Sequence, residues 1–143
     1  MQERSAEGSC LCGEVTYRIS GSLGIFQYCH CSRCRKFTGS AHASNILVSP
    51  DQFRWLTGVA YVGRFEPTQT KHFATSFCKN CGSSLPWLAK SRKAFVIPAG
   101  TLDSHPGIEP SQNIFYASRA SWYREASELI KFDEMPVKLE TRN

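Results

Sequence analysis

Cys10-Leu11-Cys12, Cys29-His30-Cys31-Ser32-Arg33-Cys34 and Cys78-Lys79-Asn80-Cys81 are the stretches from which the fold of this chain is read. Between them they hold all seven cysteines of the 143 residues. Thiolates one or two residues apart on a tight turn supply two ligands from one place to a tetrahedral zinc ion. The arithmetic is uneven. Two pairs complete a four-sulfur site of the structural kind, and the remaining three leave a site with one exchangeable position, the pattern of catalytic zinc. Spacing leaves other partitions open. Cys29, Cys31 and Cys34 could instead recruit a cysteine of either outer pair, or be closed by His30, His42 or His72.

Disulfides compete with this reading and fit it less well. An odd number of cysteines leaves one thiol unpaired, and a Cys-X-Cys spacing is too short for a relaxed local bridge. Met1 to Ser9 is polar, with Glu3, Arg4 and Glu7, so it reads as no hydrophobic leader. No apolar run approaches the roughly 18 residues that a membrane-spanning helix needs. The expectation is a cytoplasmic protein, in which reduced, clustered cysteines bind metal.

The length suits one domain able to bury a core of its own, and a 12% aromatic content fits an ordered globular chain. The formal net charge of +5 counts each thiol as neutral. Seven thiolates around two Zn²⁺ would lower it by three, to about +2. The basic groups Arg33-Cys34-Arg35-Lys36 and Lys90-Ser91-Arg92-Lys93 are short and far apart. A nucleic-acid partner is therefore not expected. Nothing in the composition speaks to oligomeric state.

Around the cysteines, short strand-like runs are punctuated by glycine, proline and serine. Gly13–Ser20 places Val15, Tyr17 and Ile19 on one face, the period of a half-buried strand. Gly24–Tyr28 leads into the central cysteines as a second strand, and Ser32–Thr38 reads as a helical turn ended by Gly39. Further strands are predicted over Asn45–Val48, Val59–Phe65, Lys71–Phe77, Ala94–Pro98 and Asn113–Ala117, and a short helix over Trp122–Leu129. Turn signals separate them, as in Ser49-Pro50-Asp51, Glu66-Pro67 and His105-Pro106-Gly107. The sum is a mainly β domain over residues 9–136, with tails at 1–8 and 137–143. In it, half-sites at strand ends meet to staple distant parts of the chain.

Gly8-Ser9-Cys10-Leu11-Cys12-Gly13, Tyr28 to Ser40, Phe77-Cys78-Lys79-Asn80-Cys81-Gly82 and Ala99-Gly100-Thr101-Leu102-Asp103 occur in an order that resembles the glutathione-dependent formaldehyde-activating enzyme (GFA) family. That family shares a domain with the centromere protein V (CENP-V) group. The resemblance implies a single domain of twisted antiparallel sheets, often called a β-tent, stapled by two zinc ions. Carried over residue by residue, Cys10, Cys12, Cys78 and Cys81 match its structural site. Cys29, Cys31 and Cys34 match its catalytic one. The implied activity is that of a carbon–sulfur lyase adding glutathione to formaldehyde to give S-hydroxymethylglutathione, with glutathione as co-substrate. Two departures are visible. The chain is shorter than the established glutathione-dependent members, and Asn113 stands where members often carry a histidine before Ile114-Phe115.

Around the three central cysteines, Arg33, Arg35 and Lys36 are candidates to meet carboxylates, against a plain reading as solvated helix side chains. Thr38, Ser40 and His42 are candidates for hydrogen bonding, against ordinary turn chemistry beside Gly39. Phe26, Phe37, Trp55 and Trp87 are candidates to line a pocket, against a place in the core. Two other classes of function compete with the enzyme. One is a zinc-stabilised β domain acting as a non-catalytic binding module, and the other is a redox switch at Cys29–Cys34 that releases zinc on oxidation.

Overall fold

The computed structural model describes residues 4–136, which form eleven short strands in three sheets and a single α-helix. In chain order the strands are β1 (Ser5–Ser9), β2 (Thr16–Ser20), β3 (Phe26–Cys29), β4 (Ala43–Val48), β5 (Phe53–Thr57) and β6 (Val62–Phe65). They continue with β7 (Thr75–Cys78), β8 (Ser84–Leu85), β9 (Trp87–Leu88), β10 (Phe95–Pro98) and β11 (Gln112–Ile114). The helix, α1 (Ser32–Thr38), lies between β3 and β4. The first sheet runs β1-β2-β5, the second β11-β3-β4-β10-β9 and the third β6-β7-β8. All pairings are antiparallel except that of β11 with β3, which is parallel. Among the described residues no helix is long and apolar enough to cross a membrane.

The two faces of the five-stranded sheet have different jobs, and strand alternation assigns them. Phe26, Ile46, Val48 and Ile97 point to one face, where Tyr17 and Ile19 from β2 complete the main core. The intervening residues Gln27, Cys29, Asn45, Leu47 and Val96 lie on the opposite face. Buried Tyr17 is tied down at its tip by Thr101 Oγ1 at 2.6 Å. A Cβ on Gly8 of β1 would collide with the Tyr17 ring, so glycine is required there.

The predicted alternation of Val15, Tyr17 and Ile19 is borne out, since all three are fully buried. The strand itself begins at Thr16, because Gly13 takes a left-handed φ of 82° in a turn closed by Cys10 and Val15. Ser32–Thr38 is helical as predicted, and Gly39 at φ 66° ends it, its N–H bonding to Arg35 O.

Several expectations need correction. Trp122–Leu129 is not an α-helix: it holds only a 3₁₀ turn at Ala126–Glu128. Trp122 and Leu129 stay exposed, so no buried face supports a helix there. Lys71–Phe77 is strand only from Thr75, and Val59–Tyr61 is a 3₁₀ turn ahead of β6. Asn113–Ala117 stops as a strand at Ile114, where Phe115 adopts a left-handed φ of 52°. Ser5 to Gly8, expected as tail, pairs along β2. The predicted 137–143 tail lies outside the described residues.

Candidate metal centre

The cysteines fall into two groups. The sulfurs of Cys10, Cys12, Cys78 and Cys81 lie within 4.8 Å of one another, as do those of Cys29, Cys31 and Cys34. No histidine belongs to either group among the described residues. The four-plus-three division is therefore the one the fold assembles.

The four-sulfur group forms where the turn after β1 meets the end of β7. Cys10 Sγ is 3.5 Å from Cys12 Sγ, and Cys12 Sγ is 3.9 Å from Cys78 Sγ. Four thiolates on a tetrahedral zinc at about 2.3 Å stand about 3.8 Å apart, so the spacing fits the ion. The surrounding donors fit as well. Backbone N–H groups of Val15 and Cys81 reach Cys10 Sγ and Cys78 Sγ at 3.3 and 3.4 Å. Asn80 Nδ2 donates to Cys12 Sγ at 3.2 Å. Ser83, 3.1 Å away through its hydroxyl, draws the Cys81 thiol down to about 5, while burial pushes Cys78 up to about 11. Val15 and Leu85 seal the inner side.

The three-sulfur group comes from the junction of β3 with α1. Cys31 caps the helix, its sulfur accepting from Cys34 N at 3.3 Å. Hydrogen bonds from Cys29 and Cys34 pull the Cys31 thiol far below its ordinary range. Donation to the neighbouring sulfurs and burial push Cys34 far up. Three buried sulfurs this close share one negative charge easily and three only with a cation among them.

Cys29, Cys31 and Cys34 form part of the wall of a cavity of about 540 Å³. No residue of the four-sulfur group lines it. Its floor is the outer face of the five-stranded sheet, with Gln27, Asn45, Leu47 and Val96. Trp87 and Ile114 flank the floor, and Gln69 to Phe73 form a side wall. Arg33, Lys71 and His72 are its basic residues, and no carboxylate lines it among the described residues. Arg33 lies 5.8 Å over the Phe73 ring, on the partition from a second cleft that contains Lys36 and Phe37.

Of the residues singled out from sequence beside the cysteines, Arg33, His72 and Trp87 reach the cavity. Arg35 and Lys36 do not line it. Phe26 is in the main core, and Trp55 packs edge-on against Tyr17 and Phe53. Thr38 bonds back to Cys34 O at 2.8 Å and to Ser40 N, the ordinary chemistry of a helix end. His42 stacks on Tyr28. Sequence reasoning missed Gln27, Asn45 and, His72 apart, the 69–73 wall. The first two were visible as amides interrupting strands, but nothing local marked the wall.

One lysine holds that wall. Lys90 Nζ donates to Pro67 O at 2.6 Å and Thr70 O at 2.7 Å, and Lys90 N donates to His72 O. Lys90→Met should therefore loosen residues 67–72, costing about 2 kcal/mol for the lost charged hydrogen bonds. Limited proteolysis within residues 67–72 should speed up with metal content intact, and an unchanged cleavage rate would count against the wall.

Asn113 points away from the cavity and accepts from His30 Nε2 at 2.9 Å. His30 is fully buried between Cys29 and Cys31, and its N–H bonds Ile114 O. Asn113 therefore braces the cysteine segment against β11. Asn113→Ala strands a buried imidazole N–H and should lower stability by about 1–3 kcal/mol in denaturant melts. A stability change within error would show that the brace carries no weight.

A mainly β domain with one closed sulfur group and one at a cavity defines the class. The chain belongs to the glutathione-dependent formaldehyde-activating enzyme family, whose sequence pattern matches residues 5–118. Among solved structures, it is similar in fold to a Rhodobacter sphaeroides protein, with a TM-score of 0.59 and 19% identity. That match covers 75% of this chain and 98% of the other. No curated protein matches the chain.

Proposed function

We propose that this protein is a zinc-dependent carbon–sulfur lyase-like enzyme that joins glutathione, or another small thiol, to formaldehyde as the hydroxymethyl thioether. The observation that carries the reading is the placement of Cys29, Cys31 and Cys34 in a cavity wall while the other four sulfurs lie elsewhere. Family membership supports the same chemistry. In this reading Cys10, Cys12, Cys78 and Cys81 hold a structural zinc, and Cys29, Cys31 and Cys34 hold a catalytic one. A zinc bound by the three would supply an exchangeable position at which an incoming thiol is held as its thiolate.

The chain's own residues do the rest. The sheet floor and Trp87 give the cavity an apolar base, and Arg33 and Lys71 supply the positive charge that an anionic thiol such as glutathione requires. The reading includes a single domain over about residues 9–136, with β1 extending its edge to Ser5, working in a reducing, cytoplasmic setting. Its partners are small molecules, with no nucleic acid or membrane. The test is NMR exchange between glutathione and ¹³C-formaldehyde. Acceleration dependent on the protein and on Cys29 is expected, and a rate equal to buffer refutes the enzyme.

A non-catalytic binding module is the second reading. The exposed apolar side chains of Trp122, Ile130 and Met135, beyond the family match, favour it. It requires both metal sites to ignore every thiol offered.

A further inference from the structure

The cavity floor contains an amide that the fold does not need. Asn45 occupies the middle of β4, inside the five-stranded sheet, between Ser44 and Ile46. Asparagine is depleted in strands because its side chain competes for backbone hydrogen bonds and packs poorly on a pleated surface. Asn45 is nevertheless 8% exposed and makes no side-chain hydrogen bond to the described residues. Its polar atoms are not sealed, since the residue lines the cavity and none of its atoms is an orphaned buried group. A mid-strand amide with no protein partner, open to the cavity that the three cysteines also line, offers its hydrogen-bonding groups to whatever enters there.

Its surroundings show what would fit. Gln27 is the direct cross-strand partner of Asn45 and also lines the cavity. Gln27 Oε1 accepts from Gln112 Nε2 at 2.8 Å, which fixes the side chain and leaves its own N–H₂ group for the cavity. Cys29 lies two residues beyond Gln27 on the same face, and so roughly 7 Å along the strand. Asn45, Gln27 and the three cysteines thus line one space. Carboxylates, which would repel a developing negative charge, are absent from the lining among the described residues.

We infer that Asn45, with Gln27 beside it, is an oxygen subsite that receives the aldehyde oxygen as a thiol adds to the carbonyl carbon. The inference rests on the proposed function and assigns its oxygen-binding group. In the step, a sulfur lone pair forms the C–S bond while the C=O π pair moves onto oxygen. That alkoxide takes a proton from water, and the hydroxide left behind is neutralised by the proton the thiol gave up. The sum is thiol plus aldehyde to hydroxymethyl thioether, with nothing oxidised or reduced. An amide N–H cannot supply the proton. It contributes by strengthening its hydrogen bond as charge builds on oxygen, and the Asn45 carbonyl then accepts the product's hydroxyl proton.

The test compares Asn45→Leu with the wild type, since leucine matches the apolar neighbours of the strand. Asn45→Ser serves if leucine disturbs the fold, which circular dichroism and zinc content report. Two stable ligands separate binding from turnover: S-(2-hydroxyethyl)glutathione, with the hydroxyl, and S-propylglutathione, without it. The wild type should bind the hydroxyl ligand more tightly, and the variants should lose that preference. Exchange of glutathione with ¹³C-formaldehyde should slow about 100-fold, the effect of deleting one oxyanion donor. If the variants keep both the preference and the rate, the subsite is refuted and the proposed function stands. If the wild type binds neither thioether and accelerates nothing, the function fails and the subsite with it.

Discussion

Replacing Cys78 with serine is expected to unfold the domain. Cys12 and Cys78 are 66 residues apart in sequence, yet their sulfurs are 3.9 Å apart. The group therefore ties the first sheet, through the turn after β1, to the end of β7 in the third. Closing a loop of that size costs about 4 kcal/mol of chain entropy in the unfolded-state accounting used for cross-links. A structural zinc contributes on the order of 10 kcal/mol at neutral pH, comparable with the whole stability of an ordinary domain, about 5–15 kcal/mol. Thermal melts by circular dichroism, with and without a strong chelator, measure the effect. Loss of the cooperative transition in Cys78→Ser, and in chelated wild type, is expected. A variant melting close to wild type would remove this group from the fold's support.

Cys31→Ser should do the opposite, abolishing activity while the domain stays folded. The three sulfurs come from one six-residue segment, so they close no long loop and their loss releases little chain entropy. Serine is moreover among the preferred helix N-caps, so the substitution preserves the cap on α1 that Cys31 provides. The expected stability change is under about 1 kcal/mol, the ordinary size of a capping effect. Removing even an outer partner of a metal ligand costs 10- to 100-fold, so loss of a ligand should lower adduct formation by at least about 100-fold. Melting temperature and NMR exchange on one preparation give both numbers. Retained activity with the second metal still bound would refute the assignment of Cys31.

The contrast between these variants explains which parts of the molecule could be read from its sequence. Cysteine spacing and flanking glycines are local signals, and α1 with its Gly39 cap followed from them. The pairing of Cys10 and Cys12 with Cys78 and Cys81 is non-local: ligand arithmetic favoured it, because a tetrahedral ion demands four, but left other partitions open, and the family resemblance pointed to this one. β1 was missed because Ser5-Ala6-Glu7-Gly8-Ser9 carries no apolar face. It is a strand because β2 pairs with it and Gly8 lets Tyr17 lie close beneath. β5 did carry a signal, with Phe53 and Trp55 alternating with Arg54, but it follows directly on a turn cluster. The cavity wall at Gln69–Phe73 was illegible, since an ammonium 17 residues beyond Phe73 holds it in place. Trp122–Leu129 shows the converse failure. Its helical spacing was real, but no surface is available for it to bury.

The most direct test of the central claim is the visible spectrum of the Co²⁺-substituted protein during titration with glutathione. Two cobalt ions should bind. Glutathione should change the ligand-field bands of one in a saturable way, and that change should be absent in Cys31→Ser. If the spectrum ignores every thiol offered while both ions remain bound, the three-sulfur site takes no substrate, and the cavity does not belong to a thiol-adding enzyme.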